Sequence, residues 1–519
     1  GNSAIGDHNT QYNVSPSLTV IRGKHTFQFG AQWELGLDNY YQTNIASGAF
    51  GFSGAWTANI GGSNCTAANG CTAGFPFADF LLGLAQSGPA SFVNQTEGAA
   101  QVPAQTAGRQ TYRAFYGADT WHVTQKLTLD LGLRYELPGT WSDRYNRLSY
   151  WDPTVTNATV TGCNGNPGSP CIGDALLVGN GTNSSRNNLP LDLHEFSPRL
   201  GFAYSWDQKT VIRGGYGIFW IPNYISFGLN PDNDVINLAT TPFFATLDHG
   251  VTPVATLDES GCTFTPGAPG TLTGCTPGPF VNGILPPPGR TSYPAATPNI
   301  SSFVASNGDP TLAPYTNPKY GYVQQFNLDI QRQLGAGFFV DVAYAGAHGV
   351  HLQQYSTNIN QIPDSYIAQA EAQSLAGQPV AIDKSIPNPM VSPNPSIGNA
   401  ATQSPTILAG QLLRPYPQYT GLSLGGYGCC GSTYNSLQAT LTKRFQGGGT
   451  LLVAYTNAKL LSNTDTLTSW LEGSNETGGV GSVQDYNNLN GERSLSSQDV
   501  SQRLVISYVL DLPFGHGKM

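Results

Sequence analysis

The most regular feature of the chain is an alternation of apolar and polar positions between residues 127 and 137. Every odd position there carries leucine or tyrosine, and every even position carries a polar residue or glycine. A period of two predicts a β-strand whose two faces meet different surroundings. In a soluble sheet the apolar face would meet a core, whereas in a membrane barrel it would meet lipid while the polar face lines a wet lumen.

Ten other segments of the chain show the same pattern. Phe27, Phe29 and Trp33, for example, alternate with Gln28 and Glu34. The alternation is weaker in segments 110–123 and 338–350, which are retained as strands because tight turns adjoin them. The eleven predicted strands are 12–22, 24–37, 110–123, 126–137, 196–206, 210–220, 319–333, 338–350, 434–445, 450–460 and 500–512.

The connections between these strands alternate between very short and very long. Tight turns such as 22–24 and 446–449 follow odd-numbered strands, and a long loop follows each even-numbered strand. Short turns on one side and long loops on the other are typical of an outer-membrane β-barrel, in which the short turns are periplasmic. The long loops are predicted at 38–109, 138–195, 221–318, 351–433 and 461–499.

The pattern therefore predicts an all-β fold, an antiparallel transmembrane β-barrel with long extracellular loops and short periplasmic turns. An odd number of strands is unexpected for a closed bacterial barrel. We thus expect residues 1–519 to form one incomplete barrel domain, with strands missing at one or both ends. The chain starts at Gly1 without an initiator methionine or a signal peptide, as expected of a mature or excised piece.

Composition narrows the class of protein further. Only 11% of the 519 residues are charged, well below the roughly 25% of soluble domains. The mean hydropathy of −0.21 resembles that of a soluble protein, but polar lumen-facing residues lower the average of a barrel. The net charge of −9 excludes a basic nucleic-acid footprint, and no run approaches the ~18 apolar residues of a transmembrane helix.

All eight cysteines lie in the long loops, as four close pairs. Pairing within each loop is the simplest of about 105 connectivities, and it implies an oxidising compartment. Free thiols or zinc ligands are the alternative, although no Cys-x-x-Cys and no histidine at ligand spacing accompanies them. Adjacent cysteines form a strained disulfide, so the last pair could instead bond elsewhere or stay reduced. The candidate disulfides are Cys65–Cys71, Cys163–Cys171, Cys262–Cys275 and Cys429–Cys430.

Six motifs follow one another along nearly the whole chain. They are 77–83 (Phe-Ala-Asp-Phe-Leu-Leu-Gly), 116–121 (Tyr-Gly-Ala-Asp-Thr-Trp), 127–136 (Leu-Thr-Leu-Asp-Leu-Gly-Leu-Arg-Tyr-Glu), 197–204 (Ser-Pro-Arg-Leu-Gly-Phe-Ala-Tyr), 213–217 (Arg-Gly-Gly-Tyr-Gly) and 434–438 (Tyr-Asn-Ser-Leu-Gln). In this order they resemble the barrel of TonB-dependent, Oar-like outer-membrane receptors. Near the last strand that family has Asp-x-x-His-Arg, whereas this chain has Gln502 before Arg503; we interpret the position as structural.

The resemblance implies a larger receptor. Members of that family combine a carboxypeptidase-regulatory-like β-sandwich, a plug domain and a barrel of about 22 strands. The sandwich, the plug, the TonB box and the closing strands are not visible in this sequence. The resemblance therefore implies that the chain holds about 11 strands from the middle of such a barrel.

Charged residues on the polar faces of the strands are the candidate functional side chains. They could contact a plug domain or a solute; alternatively, they hydrogen-bond across strands and simply keep the lumen wet. The candidates are Glu34, Asp130, Arg134, Glu136, Arg213, Asp329, Asp341, Arg444 and Arg503.

Metal or catalytic sites are not predicted. His348 and His351 have a spacing that binds metal on a helix, but this segment is predicted as a strand that runs into a loop. Residues 230–234 faintly resemble a calcium loop, yet they lack the glycine and the closing glutamate of an EF-hand. Nucleophile, zinc-protease and phosphate-loop motifs are absent from the sequence. We expect no enzyme activity and no cofactor.

These observations predict the barrel portion of a TonB-dependent receptor in the outer membrane of a Gram-negative bacterium. The expected partners are outer-membrane lipid, a plug domain, the TonB complex and an extracellular solute, with carbohydrate or peptide as candidates. The long loops are the expected recognition surface, because long loops are usually functional or disordered. The alternatives are a barrel-anchored surface adhesin and, as a third option, a secreted soluble β-protein.

Overall fold

The computed structural model describes twenty stretches of the chain. They are residues 5–42, 49–52, 54, 56–57, 74–85, 96–103, 106–182, 184–187, 189–221, 238–244, 260–264, 272–277, 310–314, 319–354, 357–391, 406–419, 421–425, 427–446, 448–464 and 483–510.

Strands dominate the described residues. In chain order they are β1 (Ile5–Val14), β2 (Ser17–Arg22), β3 (His25–Gln42), β4 (Ala49–Phe50), β5 (Thr96–Pro103), β6 (Gly108–His122), β7 (Leu127–Pro138), β8 (Ser142–Asp143), β9 (Ser149–Thr161), β10 (Pro170–Leu177), β11 (Phe196–Ser205), β12 (Thr210–Trp220) and β13 (Leu238–Phe244). They continue with β14 (Ser260–Phe264), β15 (Leu272–Pro277), β16 (Pro310–Pro314), β17 (Tyr322–Gln333), β18 (Phe338–Gln354), β19 (Thr357–Asn358), β20 (Ser385–Pro387), β21 (Thr406–Leu408), β22 (Gly421–Gly425), β23 (Tyr427–Arg444), β24 (Gly449–Ser462), β25 (Ser494–Leu495) and β26 (Gln502–Leu510). The described residues hold two α-helices, α1 (Pro76–Leu81) and α2 (Asp364–Leu375), and single 3-10 turns occur at Ala381–Asp383, Ala409–Leu413 and Leu489–Glu492.

One antiparallel sheet of 14 strands forms the body of the protein. Its order is β1-β3-β6-β7-β11-β12-β17-β18-β23-β24-β25, with β2 beside β3, β8 beside β6 and β26 beside β24. Each of the eleven predicted strands is confirmed in this sheet. The first is divided into β1 and β2, because Pro16 between them has no amide hydrogen for the ladder. Several strands extend beyond the prediction on the long-loop side, most clearly β18 and β23.

The two faces of the sheet differ as the alternation predicts. Leu131 on β7 is the register partner of Leu200 on β11, which in turn pairs with Tyr216 on β12. This apolar row is open: Leu131 is 40% exposed and Leu200 is 55% exposed. No second layer of described residues covers it, as expected for a surface that meets lipid.

The buried core lies in the loops. The largest fully buried side chains, among them Trp151, Tyr150, Tyr419 and Met390, all lie outside the strands of the main sheet that cross from short turn to long loop. In a soluble sheet protein the core would lie between packed layers of secondary structure. The sheet therefore gains little of its stability from an apolar interior.

The main sheet is open within the described residues. At one edge β1 and β2 pair only with β3, and at the other β26 pairs only with β24. Every residue of β2 and β26 is exposed. Unpaired strand groups cannot be left in lipid, so the barrel is incomplete as described. None of the described helices is long and apolar enough to cross a membrane.

Candidate functional site

Glu34 joins three amides on the polar face of the sheet. Its Oε1 accepts hydrogen bonds from Asn13 Nδ2 at 2.6 Å and Gln32 Nε2 at 2.6 Å, and its Oε2 accepts one from Gln11 Nε2 at 3.1 Å. The donors lie on β1 and β3, whose register brings Asn13 directly opposite Glu34. Among the described residues, the carboxylate is thus held by amide side chains alone, without a basic partner.

Arg134 continues this network across β6 to β7. Its Nε donates to Glu136 Oε1 at 2.5 Å, and its Nη2 donates to Gln32 Oε1 and to the Tyr112 hydroxyl, both at 2.7 Å. Gln32 therefore links the network of Arg134 to that of Glu34. Fully satisfied polar networks are rigid, so these side chains are fixed on the polar face.

The remaining candidate charges lie farther along the same face. Arg213 is the register partner of Asp329, and Asp341 accepts a hydrogen bond from Gln331 Nε2 at 3.2 Å. One carboxylate oxygen of Asp329 and one of Asp341 are buried without a hydrogen-bond partner among the described residues. This second cluster is therefore less compensated than the first.

Three other candidates occupy separate positions on the polar face. Asp130 accepts a hydrogen bond from the Thr120 hydroxyl at 2.7 Å. Arg444 and Arg503 share register rows with Thr450 and Thr456 respectively. The structure therefore gathers Glu34, Arg134 and Glu136 into one network and Arg213, Asp329 and Asp341 into another region. Asp130, Arg444 and Arg503 belong to neither group.

A groove with a volume of about 320 Å³ lies between two arginines on this face. Its lining includes Arg134, Arg199, Tyr116 and Gln28, above a floor that contains Gly132. Arg199 was not among the candidates from sequence, although it alternates with the apolar Leu200 and so falls on the polar face. That alternation was the signal that could have identified it.

Glu195 is a second functional candidate that sequence reasoning missed. It ends the connection before β11, is only 1% exposed, and its Oε1 has no hydrogen-bond partner among the described residues. Burial, followed by the charges of Asp192 and Glu136, raises the pKa of Glu195 to about 8. Its backbone oxygen accepts a hydrogen bond from the Glu136 amide at 3.0 Å, so the carboxyl lies beside the Arg134 network.

The second and fourth long loops share an aromatic core. Trp151 on β9 packs edge to face against Tyr416 and Tyr419, with ring centroids 5.1 and 5.4 Å away. The buried Gln418 between these tyrosines donates to the carbonyl oxygens of Ile172 at 2.8 Å and Gly173 at 3.0 Å. The two loops are therefore joined by packing and by buried hydrogen bonds.

A disulfide adjoins this core. Cys163 and Cys171 are bonded, which confirms that predicted pair. Buried Cys171 packs with Val160, Met390 and Ile407, so the bonded hairpin of the second loop contacts the fourth loop. Sequence analysis did not predict a hydrophobic cluster inside the loops.

Backbone pairing connects further loops. β13 from the third loop pairs with β5 from the first, and β16 from the third loop runs parallel to β22 from the fourth. Gln361 then joins the fourth loop to the fifth, since its Nε2 donates to Asp485 Oδ1 at 2.7 Å and its Oε1 accepts from the Tyr486 amide at 2.8 Å. We call the described parts of these five connections the loop layer.

The remaining cysteines have different outcomes. Cys429 and Cys430 are bonded to each other, so they neither pair elsewhere nor stay reduced. Cys262 and Cys275 are backbone register partners on β14 and β15, but their side chains lie outside the described residues. The pair Cys65–Cys71 also lies outside the described residues.

Metal ligation finds no geometric support within the described parts of the chain. They contain no group of three or more histidine, cysteine or acidic residues that could hold a metal ion. His348 Nδ1 lies 3.2 Å from the Thr433 hydroxyl, and the ring of His351 stands edge-on to Tyr322. The segment 230–234 lies outside the described residues.

Comparison with protein families decides the class of this two-faced sheet. The family model described as an outer membrane beta barrel domain matches residues 1–519. The chain belongs to this family. The outer-membrane β-barrel domain therefore resides in the outer membrane of a Gram-negative cell, with its apolar face toward lipid. Comparison with curated proteins gives no match.

Solved outer-membrane receptors are similar to this β-barrel domain at low identity. The outer-membrane transporter YddB from Escherichia coli is 9% identical with a TM-score of 0.38, over 90% of this chain and 35% of that one. The ferripyoverdine receptor of Pseudomonas aeruginosa is 9% identical with a TM-score of 0.35, over 98% and 36%. The siderophore receptor PirA from Acinetobacter baumannii is 9% identical with a TM-score of 0.32, over 88% and 40%. The chain thus spans between about a third and two fifths of these receptors.

Proposed function

We propose that the chain is the barrel portion of a TonB-dependent, Oar-like outer-membrane receptor that takes up an extracellular solute. The observation that carries the proposal is the continuous polar network from Gln11 through Glu34 and Gln32 to Arg134, on the face opposite the exposed leucines. A hydrogen-bonded polar surface of this kind is suited to lining an aqueous lumen. Residues 1–519 would then be one partial barrel domain, within a larger receptor that also holds a plug and contacts the TonB complex.

The candidate charges have a simple role in this proposal. Arg134 pairs with Glu136, and Gln32 links this pair to Glu34, so the three side chains belong to one network that keeps the lumen wall rigid and wet. Asp329 and Asp341 each have one carboxylate oxygen without a hydrogen-bond partner among the described residues, and in this proposal the second cluster is the one that contacts a plug domain or a solute. The proposal includes no catalytic step, because the chain would only bind a solute and let it pass through the lumen.

The loop layer supplies the capture surface. Long loops on a rigid scaffold commonly carry recognition, and here the second and fourth loops have their own buried core. A preorganised surface loses less conformational entropy when it binds. Carbohydrates and peptides are the solute classes that we propose to test.

Uptake experiments in the native host test this proposal. Oligosaccharides and peptides would be screened for uptake in the parent strain, in a strain that lacks this receptor, and in a strain that lacks TonB. The proposal expects at least one solute whose uptake falls in both deletion strains. Uptake that is unchanged in both strains for every solute would contradict it.

A barrel-anchored adhesin is the second candidate function. The packed core of the loop layer favours it, because a folded external surface is also what surface adhesion needs. In that case deletion of the receptor would reduce cell attachment to a matrix, and deletion of TonB would not.

A further inference from the structure

Tyr116 is held as one wall of the groove between Arg134 and Arg199. It is the register partner of Gly30, and a Cβ atom on Gly30 would lie 2.4 Å from the Tyr116 ring. The ring therefore lies flat over the glycine, where any larger residue would displace it. The Arg134 guanidinium is 5.9 Å from the Tyr116 centroid, so ring and cation are fixed relative to each other.

Arg199 forms the opposite wall and makes no ion pair with a carboxylate among the described residues. It is exposed, and it has no hydrogen bond or ion pair from its side chain within the described residues. Its guanidinium lies 4.7 Å from the centroid of Phe219, a cation–π contact that fixes the side chain without neutralising it. Arg134, in contrast, is paired with Glu136. The groove thus carries one uncompensated positive charge.

Small residues keep the floor of the groove open. A Cβ atom on Gly132 would be 3.7 Å from the Cβ atoms of Ala118 and Arg199, which is ordinary contact. Glycine there is not required by the backbone packing, but it leaves room above the sheet. A volume of about 320 Å³ lies at the lower end of ligand pockets, which measure roughly 300–1,000 Å³.

We propose that this groove binds the carboxylate of a small monoanionic solute, and the proposal rests on the receptor function proposed above. The Arg199 guanidinium presents the paired donors that match a carboxylate. Tyr116 and Phe219 flank the two cations with aromatic rings, which suits the carbon skeleton of an organic acid. One uncompensated charge favours a monoanion over a phosphate dianion.

Binding to the full-length receptor that contains this chain, purified in detergent micelles, tests the groove directly. Lactate, gluconate and galacturonate would be titrated at up to millimolar concentration by calorimetry, beside neutral lactamide and galactose. At least one carboxylate should bind saturably where its neutral counterpart does not. Arg199→Gln should weaken that binding at least tenfold, and Arg199→Lys should weaken it less. Gly132→Leu should abolish it by filling the space.

Arg113→Gln provides the matched control. Arg113 lies on the opposite face of β6, where it pairs in register with Trp33 and Leu137, so its loss should leave binding unchanged. Heat-modifiable gel migration would show that each variant keeps its fold. The proposal is overturned if no carboxylate binds, if neutral counterparts bind equally well, or if folded Arg199→Gln binds as tightly as the parent. TonB-dependent uptake that persists in such a case would leave the receptor function standing.

Discussion

The indole of Trp151 stands edge-on to the ring of Tyr419, with centroids 5.4 Å apart, although the two residues belong to different long loops. Trp151 is fully buried and Tyr419 is only 2% exposed. Aromatic pairs of this geometry contribute about 0.5–1.5 kcal/mol beyond the burial of their area. The contact therefore makes the second and fourth loops one folded unit.

Replacement of this tryptophan should unfold the loop layer without unfolding the sheet. Removal of a buried tryptophan side chain costs about 3–5 kcal/mol, and in Trp151→Ala that loss falls on the loops alone. Limited proteolysis should then cut within 138–195 and 351–433, whereas gel migration of the unheated barrel should not change. Trp206→Ala, at an exposed position on a short turn, is the control. Equal protease resistance in Trp151→Ala and the parent would contradict this account.

The disulfide of the second loop should contribute measurably to the same unit. It closes a short hairpin with a sequence separation of 8, for which the loss of chain entropy predicts about 2–3 kcal/mol. The double variant Cys163→Ser with Cys171→Ser should therefore expose Val160 and Met390 at lower denaturant concentration. Hydrogen exchange of β9 and β10 measures this, with exchange of β7 as the internal reference. A double variant whose hairpin exchanges as slowly as the parent's would refute the prediction.

An added charge should destabilise the barrel on its apolar face and be tolerated on its polar face. Leu441 on β23 lies on the apolar face, in register with Val340 and Val453, and its neighbour Thr440 lies on the polar face. An arginine on the lipid face near the bilayer centre costs roughly 2–4 kcal/mol. Leu441→Arg should lower folding yield into lipid vesicles, and Thr440→Arg should not. Equal effects of the two variants would count against the assignment of the faces.

Glu195 should make the stability of the segment that leads into β11 depend on pH. Its pKa rises from 4.5 to about 8 in the folded protein, so the folded state holds a proton that the unfolded state loses. The contribution of Glu195 to stability is therefore fully present below pH 4.5 and is lost as the pH rises to about 8. Asp192, Glu136 and Tyr320 face this carboxyl, and Glu136 is paired with Arg134.

The isosteric variant isolates this effect. Glu195→Gln stays neutral, so its stability should vary less between these two pH values than that of the parent. Chemical denaturation followed by hydrogen exchange near β11 measures the difference. Parallel pH profiles for the two proteins would show that Glu195 is not the responsible group.

The strands could be predicted from sequence because a two-faced wall leaves a period of two. Leu127 to Leu137 carry that period without error, and it survives because lipid and lumen select different residues at adjacent positions. The loop strands carry no such signal. β16 and β22 are rich in glycine, proline and small residues, and their pairing depends on contacts between loops that local sequence does not encode.

Only part of the candidate site could be predicted from the sequence. Alternation placed Glu34, Arg134 and Glu136 on one face, and the structure joins them through Gln32. The alternation could not identify the groove, because the shape of the groove depends on strand register, which places Gly30 under the Tyr116 ring. Glu195 was missed because it stands just outside a strand, where no periodicity marks its burial.

Strand pairing between the first and third loops, and between the third and fourth, has a consequence for engineering. A new specificity cannot be installed by transplanting a single loop, since β5 needs β13 and β16 needs β22. Changes in specificity would have to arise at exposed loop positions while the paired loop strands stay unchanged, as an antibody changes its binding loops on a constant framework. A phage or an antibody that binds one of these loops would therefore also restrict the motion of the loops paired with it.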